Sequence, residues 1–323
     1  MPDRVRITDV AARDGLQNEE GRVATERKAE LVAAIDRSGV DEVEITSFVS
    51  PKWIPQLGDA AELCELLARS KPDNVVYSAL VPNEQGMERL LDVNDHARAA
   101  HGVNRLIDKV SVFTAASETF SEKNTNATIA ETIERFVPVA DLARDNGLDL
   151  AVYISCAFAC PFEGPTPPNR VSKVCHQLNA VLPEDWIDHN DQGEPFYLIG
   201  DTIGAAKPEA VLRLVEHLSA RSDLVEPSTI GLHLHDTFGN AAACVRAGLE
   251  AGVRAFDGAV GGLGGCPYAS TPEKRAPGNL STSVLVRSVH EAGFETGVRR
   301  DSLSNAETIA AAIVSESRAG ASS

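Results

Sequence analysis

Arg4-Val5-Arg6-Ile7-Thr8-Asp9, a helical pattern over Thr25–Ser38 that Gly39 closes, and Glu42-Val43-Glu44-Ile45-Thr46 read together as strand, helix, strand. The rhythm continues outward from this unit. β-type runs recur at Val75–Leu80, Lys109–Phe113, Asp149–Ile154, Phe196–Ile199, Thr229–Leu234 and Ala255–Ala259, making eight. Strands that alternate with helices pair in parallel, because each return crossing needs a connection as long as a helix. Eight of them predict closure into a (β/α)8 TIM barrel, with a doubly wound open sheet as the layout that periodicity leaves open. The chain reads as one catalytic domain over residues 1–323, with a barrel over about 4–280 and a C-terminal helical extension over about 281–318.

Ile129, Ile133, Phe136 and Ala140 share one helical face, in a helix expected to bend near Pro138. Pro208 opens another, with Val211, Val215 and Leu218 in a stripe. Ser281–Ala292 and Asp301–Ser317 supply two more helices, expected to pack around the barrel's end. The polar segments Asn94–Asp108 and Pro183–Pro195 are expected to be surface connections. The 30 Lys and Arg against 47 Asp and Glu leave a net charge of −17, which argues against general nucleic-acid binding. No apolar run approaches the roughly 18 residues of a membrane span, so no membrane partner is expected. Met1-Pro2-Asp3-Arg4 enters a strand directly without a secretory apolar region. Six cysteines in 323 residues are too sparse for a disulfide scaffold. The expectation is reduced thiols in the cytoplasm, with Cys64 and Cys244 as small core residues.

In a barrel of this kind, chemistry sits where strands end and loops begin, and the polar clusters fall there. His233-x-His235 is the sharpest signal, since strand residues two apart point to the same side and both imidazoles can face one centre. Two hydrogen-bonded histidines lining the barrel are the plainer alternative. Asp14, at another strand end, adds an anionic oxygen. Nitrogen and oxygen donors without thiolate favour a hard or borderline divalent ion, Mg2+ or Mn2+, over structural zinc. Arg13 offers planar donors for a carboxylate or a developing oxyanion, or a structural ion pair. Glu44 and Asp201 read either as supporting acids of that centre or as structural acids. Gly261–Gly265 forms a turn that presents Cys266, which reads either as a thiol entering a pocket or as an inert core residue.

Together these clusters resemble the 3-hydroxy-3-methylglutaryl-CoA lyase family, within the metal-dependent lyase and Claisen-condensing superfamily. The matching text is Arg13-Asp14-Gly15-Leu16-Gln17-Asn18-Glu19, Glu44-Ile45-Thr46-Ser47-Phe48-Val49-Ser50-Pro51-Lys52 and Ser155-Cys156-Ala157-Phe158-Ala159-Cys160-Pro161. It continues with Gly200-Asp201-Thr202-Ile203-Gly204, His233-Leu234-His235-Asp236-Thr237 and Gly261–Tyr268, in order along the chain. The resemblance implies a barrel with extra C-terminal helices and metal ligands at Asp14, His233, His235 and Asn279. The Asn279 assignment rests on Gly278-Asn279-Leu280 alone. It implies Arg13 beside the thioester oxygen, Cys266 as the loop acid/base, Glu44 and Asp201 as supporting acids, and Asp14 or His233 as the base. The implied reaction is retro-Claisen cleavage of an acyl-CoA substrate, 3-hydroxy-3-methylglutaryl-CoA, to acetyl-CoA and acetoacetate, by a homodimer.

Departures bear on the substrate more than on the chemistry. Asp9-Val10-Ala11-Ala12 precedes the Arg-Asp pair, Glu20 stands where a basic residue is usual, and Ser281-Thr282-Ser283 lacks the usual acids. Another 3-hydroxyacyl-CoA, citramalyl-CoA or a longer-branched glutaryl-CoA, remains an alternative. So does a non-catalytic CoA- or metal-binding paralogue. A condensing synthase usually carries a further regulatory domain, and a Schiff-base aldolase would need a lysine better placed than Lys109. Lys52, Lys123 and Lys207 are loop bases that read either as CoA phosphate contacts or as solvated charge.

Overall fold

The computed structural model describes residues 3–182, 196–220, 225–265 and 278–321. Its eight barrel strands are β1 (Arg6–Asp9), β2 (Glu42–Ser47), β3 (Val76–Leu80), β4 (Lys109–Ala115), β5 (Asp149–Ser155), β6 (Tyr197–Asp201), β7 (Ile230–Leu234) and β8 (Ala255–Gly258). Each pairs in parallel with the strand before and after it in sequence, and β8 returns to β1, closing the barrel. The open-sheet alternative is thereby excluded. Every strand lies where the alternation of the sequence predicts it, within two residues at either end.

The helices are α1 (Thr25–Asp36), α2 (Ala60–Ala68), α3 (Glu84–His101), α4 (Glu118–Thr125), α5 (Ile129–Asp145), α6 (Pro168–Val181), α7 (Pro208–Ser219), α8 (Ala241–Glu250), α9 (Thr282–Glu291) and α10 (Arg300–Ala321). Local chemistry sets their ends. Thr128 and Glu131 form a reciprocal capping box at the start of α5, which runs through Pro138 as one helix. Gly39 takes up the left-handed turn three residues after α1, at φ +83°. α9 packs against α8 and β8, whereas α10 crosses to α1 and to the turn at Val260–Gly262.

Strand alternation divides the apolar residues between two cores. Ile7, Val43, Ile45, Val110, Val112, Leu150, Val152, Ile154 and Leu232 face outward into one large core beneath the helices. Inside the barrel the apolar content is small, with Leu80, Ala151, Tyr153 and Leu198 buried together. The rest of the interior is polar, and this is what makes room for chemistry. Lys109, at the bottom of β4, pairs with Glu42 at 2.9 Å and is fully buried there.

The segment Asn94–Asp108 lies mostly at the surface as expected, but its first half is helix rather than connection. Asn94 to His101 form the last two turns of α3, and Asn94 is buried. Its side chain accepts from the amides of Leu106 (3.2 Å) and Ile107 (2.8 Å) and donates to the Ile107 carbonyl (2.9 Å). A polar residue here therefore substitutes for the ladder bonds that the incoming chain lacks, and Leu106 and Ile107 are buried beside it. The expected connection at Pro183–Pro195 lies outside the described residues.

Asp36 closes α1 against β3, accepting a 2.6 Å bond from the Tyr77 hydroxyl. Burial raises its carboxyl to about 6, a rise that Tyr77 only partly offsets. The folded protein thus holds this proton between about pH 4 and 6, where the unfolded chain has lost it, and stability declines as pH climbs through that window. Asp36→Asn removes the decline. Relative to the parent, the variant should gain on the order of 3 kcal/mol between pH 4 and pH 7.5 in urea unfolding. A pH-independent difference would show that the Asp36 carboxyl titrates alike in the folded and unfolded chains.

Candidate active site

The chain leaves β1 through a single widened helical turn over Ala11–Gly15, in which the Gly15 amide bonds the Val10 carbonyl at 3.0 Å. This i→i+5 closure fits one extra residue into the turn, a form that recurs at functional sites. It sets Arg13 and Asp14 side by side at the top of the barrel. Arg13 donates through Nε to Glu44 Oε2 at 2.6 Å and through a terminal nitrogen to Asp14 Oδ1 at 2.7 Å. Its guanidinium lies 5.8 Å from the Tyr153 ring centroid. Gln17 Nε2 adds a 3.1 Å bond to Asp14 Oδ1, and Asn279 Nδ2 one of 2.7 Å to Oδ2.

His233 and His235, two apart at the end of β7, bring their Nε2 atoms to 3.3 Å. Asp257 stands opposite His233 in the β7–β8 ladder, and its Oδ2 lies 3.0 Å from His233 Nδ1. The Tyr153 hydroxyl donates to the same oxygen at 2.9 Å. With the Tyr153 hydroxyl donating to the same oxygen, Asp257 Oδ2 acts as acceptor for His233 Nδ1–H, which leaves Nε2 facing the cluster. Asn279 also donates to the Leu263 carbonyl at 3.0 Å. Gly264 has φ +101°, and a Cβ there would lie 2.7 Å from Asn279 Nδ2. Glycine at 264 is therefore what lets the loop after β8 lie against Asn279.

The electrostatics separate the two acids that share Arg13. Burial pushes the Asp14 carboxyl up, but Arg13, both imidazoles and Asn279 together bring it down to about 2, so it stays a carboxylate. Burial dominates at Glu44 and raises it to about 7, with Arg13 pulling the other way. Its second oxygen, Oε1, has no partner among the described residues. Desolvation likewise lowers His235, to about 4, keeping that ring neutral and its nitrogens free to coordinate.

Donor atoms of Asp14, His233 and His235 all lie within 4.8 Å of one another. An octahedral ion with bonds of about 2.1 Å sets neighbouring donors about 3.0 Å apart and opposite ones about 4.2 Å apart. The three residues therefore fit one divalent cation, with positions left for substrate oxygens. Asn279, which only the resemblance identified, joins them through Asp14. Asp201 is within electrostatic reach of His233 but is committed to the backbone. Its oxygens accept from the amides of Ala205 (2.9 Å) and Ala206 (3.0 Å), so it braces the loop after β6, and burial raises it to about 7. Cys266 lies outside the described residues. Asp257 and Tyr153 were missed from sequence, although an acid inside the buried run Ala255-Phe256-Asp257-Gly258 was the available signal. The site opens into a cavity of about 1220 Å³ whose wall includes Val49, Leu80, Phe113, Phe136 and Tyr153. Lys123, expected on a loop, lies in the last turn of α4 and stacks on Phe162 at 5.0 Å, and Lys52 is exposed.

The family model described as HMGL-like matches residues 4–309. The chain is 36% identical over 317 residues to a 3-hydroxy-3-isohexenylglutaryl-CoA/hydroxy-methylglutaryl-CoA lyase of Pseudomonas aeruginosa, covering 98% of this chain and 95% of that one. Among solved structures, an HMG-CoA lyase from Brucella melitensis is 40% identical with a TM-score of 0.82, over 97% of this chain and 99% of its own. One from Acinetobacter baumannii, in complex with coenzyme A and 3-methylmalate, is 29% identical with a TM-score of 0.79, over 97% and 92%. With the family model spanning nearly the whole chain, the chain belongs to the HMGL-like family.

Proposed function

We propose that this chain is a divalent-metal-dependent carbon–carbon lyase that cleaves 3-hydroxy-3-methylglutaryl-CoA to acetyl-CoA and acetoacetate. The observation that carries the reading is the convergence of Asp14, His233 and His235 beside Arg13 at the mouth of a large cavity. Mg2+ or Mn2+ held by these residues, with Asn279 alongside, would supply a Lewis acid that lowers the pKa of the substrate's tertiary hydroxyl. Asp14, a carboxylate at neutral pH, takes the hydroxyl proton, since the Nε2 lone pair of His233 would be committed to the ion. Arg13, held flat by Glu44 and Asp14, directs its remaining N–H groups at the thioester oxygen, where charge develops as the enolate leaves. Cys266 returns a proton to the enolate carbon. Asp257 and Tyr153 fix the His233 ring. The five described cysteines are free and buried, in keeping with a cytoplasmic enzyme, and a homodimer is the assembly expected of it. No helix among the described residues is long and apolar enough to cross a membrane.

A second reading, a longer-branched 3-hydroxyglutaryl-CoA, draws on the apolar wall of Val49, Leu80, Phe113 and Phe136 and on the isohexenyl substrate named for the Pseudomonas relative. A panel of branched 3-hydroxyacyl-CoA thioesters, followed by acetyl-CoA release, decides between the two. The methyl substrate should show the highest kcat/KM. Preference for the longer branch transfers the assignment, and no release from any thioester defeats the lyase reading.

Chelator-stripped protein should lose turnover by about 10²-fold or more and recover it on adding Mg2+ or Mn2+. Full activity without metal would remove the basis of the scheme. Arg13→Lys keeps the charge but loses the fork, and kcat should fall by about 10²–10³-fold with little change in KM. Asp257→Asn should weaken Mn2+ binding by about 10–100-fold in calorimetry, because the His233 ring loses its fixed orientation. Unaltered affinity would mean that His233 does not coordinate through Nε2.

A further inference from the structure

Away from the barrel mouth, the outer face of α2 and α3 carries a second convergence of donors. Glu65, on α2, receives two histidines of α3. His96 Nε2 lies 2.9 Å from Oε2, and His101 Nε2 lies 3.0 Å from Oε1 and 3.1 Å from Oε2. Glu65 also takes a 3.3 Å ion pair from Arg69, whose side chain is 59% exposed and free to swing into solvent. One donor atom from each of Glu65, His96 and His101 falls within 4.8 Å of the others, as at the barrel site. A cavity of about 560 Å³ between the two helices is lined by Glu65 and His96 together with Leu57, Cys64, Arg89 and Asp92. It leaves one side of the cluster open.

We propose that Glu65, His96 and His101 form a surface site for a borderline transition-metal ion of the zinc class, bridging α2 and α3. Two imidazoles and one carboxylate are the donor set that such an ion takes with a water in the remaining position, and zinc outranks Mg2+ wherever imidazole predominates. Each histidine offers its Nε2 lone pair when the ring proton moves to Nδ1, so two neutral rings bind without net loss of a proton. The net charge of −17 draws cations toward the surface. The ion would act as a clamp between two helices of the barrel wall. The proposal stands independently of the lyase reading, since none of its residues touches the barrel cluster.

The test uses the full chain with the barrel site silenced by Asp14→Asn and His235→Ala, stripped of metal and titrated with Zn2+ by calorimetry. Binding of one equivalent with a micromolar or tighter dissociation constant is expected, with a rise in unfolding temperature. Adding His96→Ala and His101→Ala should abolish that binding and the rise, while the metal-free unfolding temperature stays unchanged. Glu65→Gln, a milder change, should weaken binding and leave the fold intact by circular dichroism. Zinc binding only at millimolar concentration, or an equivalent that survives loss of both histidines, overturns the proposal. The cluster is then an ion-pair network and nothing more.

Discussion

His233 and His235 can share a centre only because β7 is a strand, and the rest of the site is arranged around that period of two. A one-residue slip of β7 would turn both rings into the apolar layer beneath the helices. The register is secured on both sides, with His233 opposite Gly200 on β6 and opposite Asp257 on β8. Asp257 supplies the acceptor for His233 Nδ1. Closure of the barrel then brings β1, with Arg13 and Asp14 in its widened turn, against the far side of β8, two strands from β7. Asn279 arrives from the far end of the chain, where Gly264 permits the approach.

One arginine between two acids might be thought to treat them alike, yet Asp14 and Glu44 diverge by about 5 in pKa. The difference lies in what else each carboxylate meets. Asp14 faces two imidazoles and two side-chain amides, so its charge is met from several directions. Glu44 is fully buried, bonds Arg13 through one oxygen, and has acids Asp257 and Asp14 nearby. The upward shift of Glu44 lessens the negative charge around Arg13, which leaves the guanidinium more attraction for an anion above it. Full neutralisation by two committed carboxylates would leave little for a developing enolate.

The eight strands were legible because each is an apolar run with turn residues at its ends, and parallel pairing follows from the helices between them. His233, His235, Asp14 and Arg13 were legible for a similar reason: polar residues at strand ends are conspicuous where alternation predicts a loop. Asp257 and Tyr153 escaped because they stand within strands, where an isolated polar residue reads as interruption rather than as support for a ring one strand away. Asn94 escaped because its partners, the amides of Leu106 and Ile107, make an irregular connection that no periodicity encodes. Asp201 carried a signal, but the amides of Ala205 and Ala206 show that its nearest work is bracing a loop.

The two ends of the barrel handle buried charge in opposite ways. At the bottom, Lys109 meets Glu42 and Asp36 meets Tyr77, so each buried charged or polar group has a partner, although Asp36 Oδ1 accepts no bond among the described residues. Buried pairs of this sort contribute little net stability but are costly to break, so they specify the strand arrangement more than they strengthen it. At the top, two imidazole nitrogens face each other and a carboxylate oxygen of Glu44 stands alone. Donors left open in a polar, water-accessible cavity cost the fold something that a cation and a substrate return on binding. The polar interior therefore divides into a floor of paired groups that fixes the architecture and an open rim that its ligands complete.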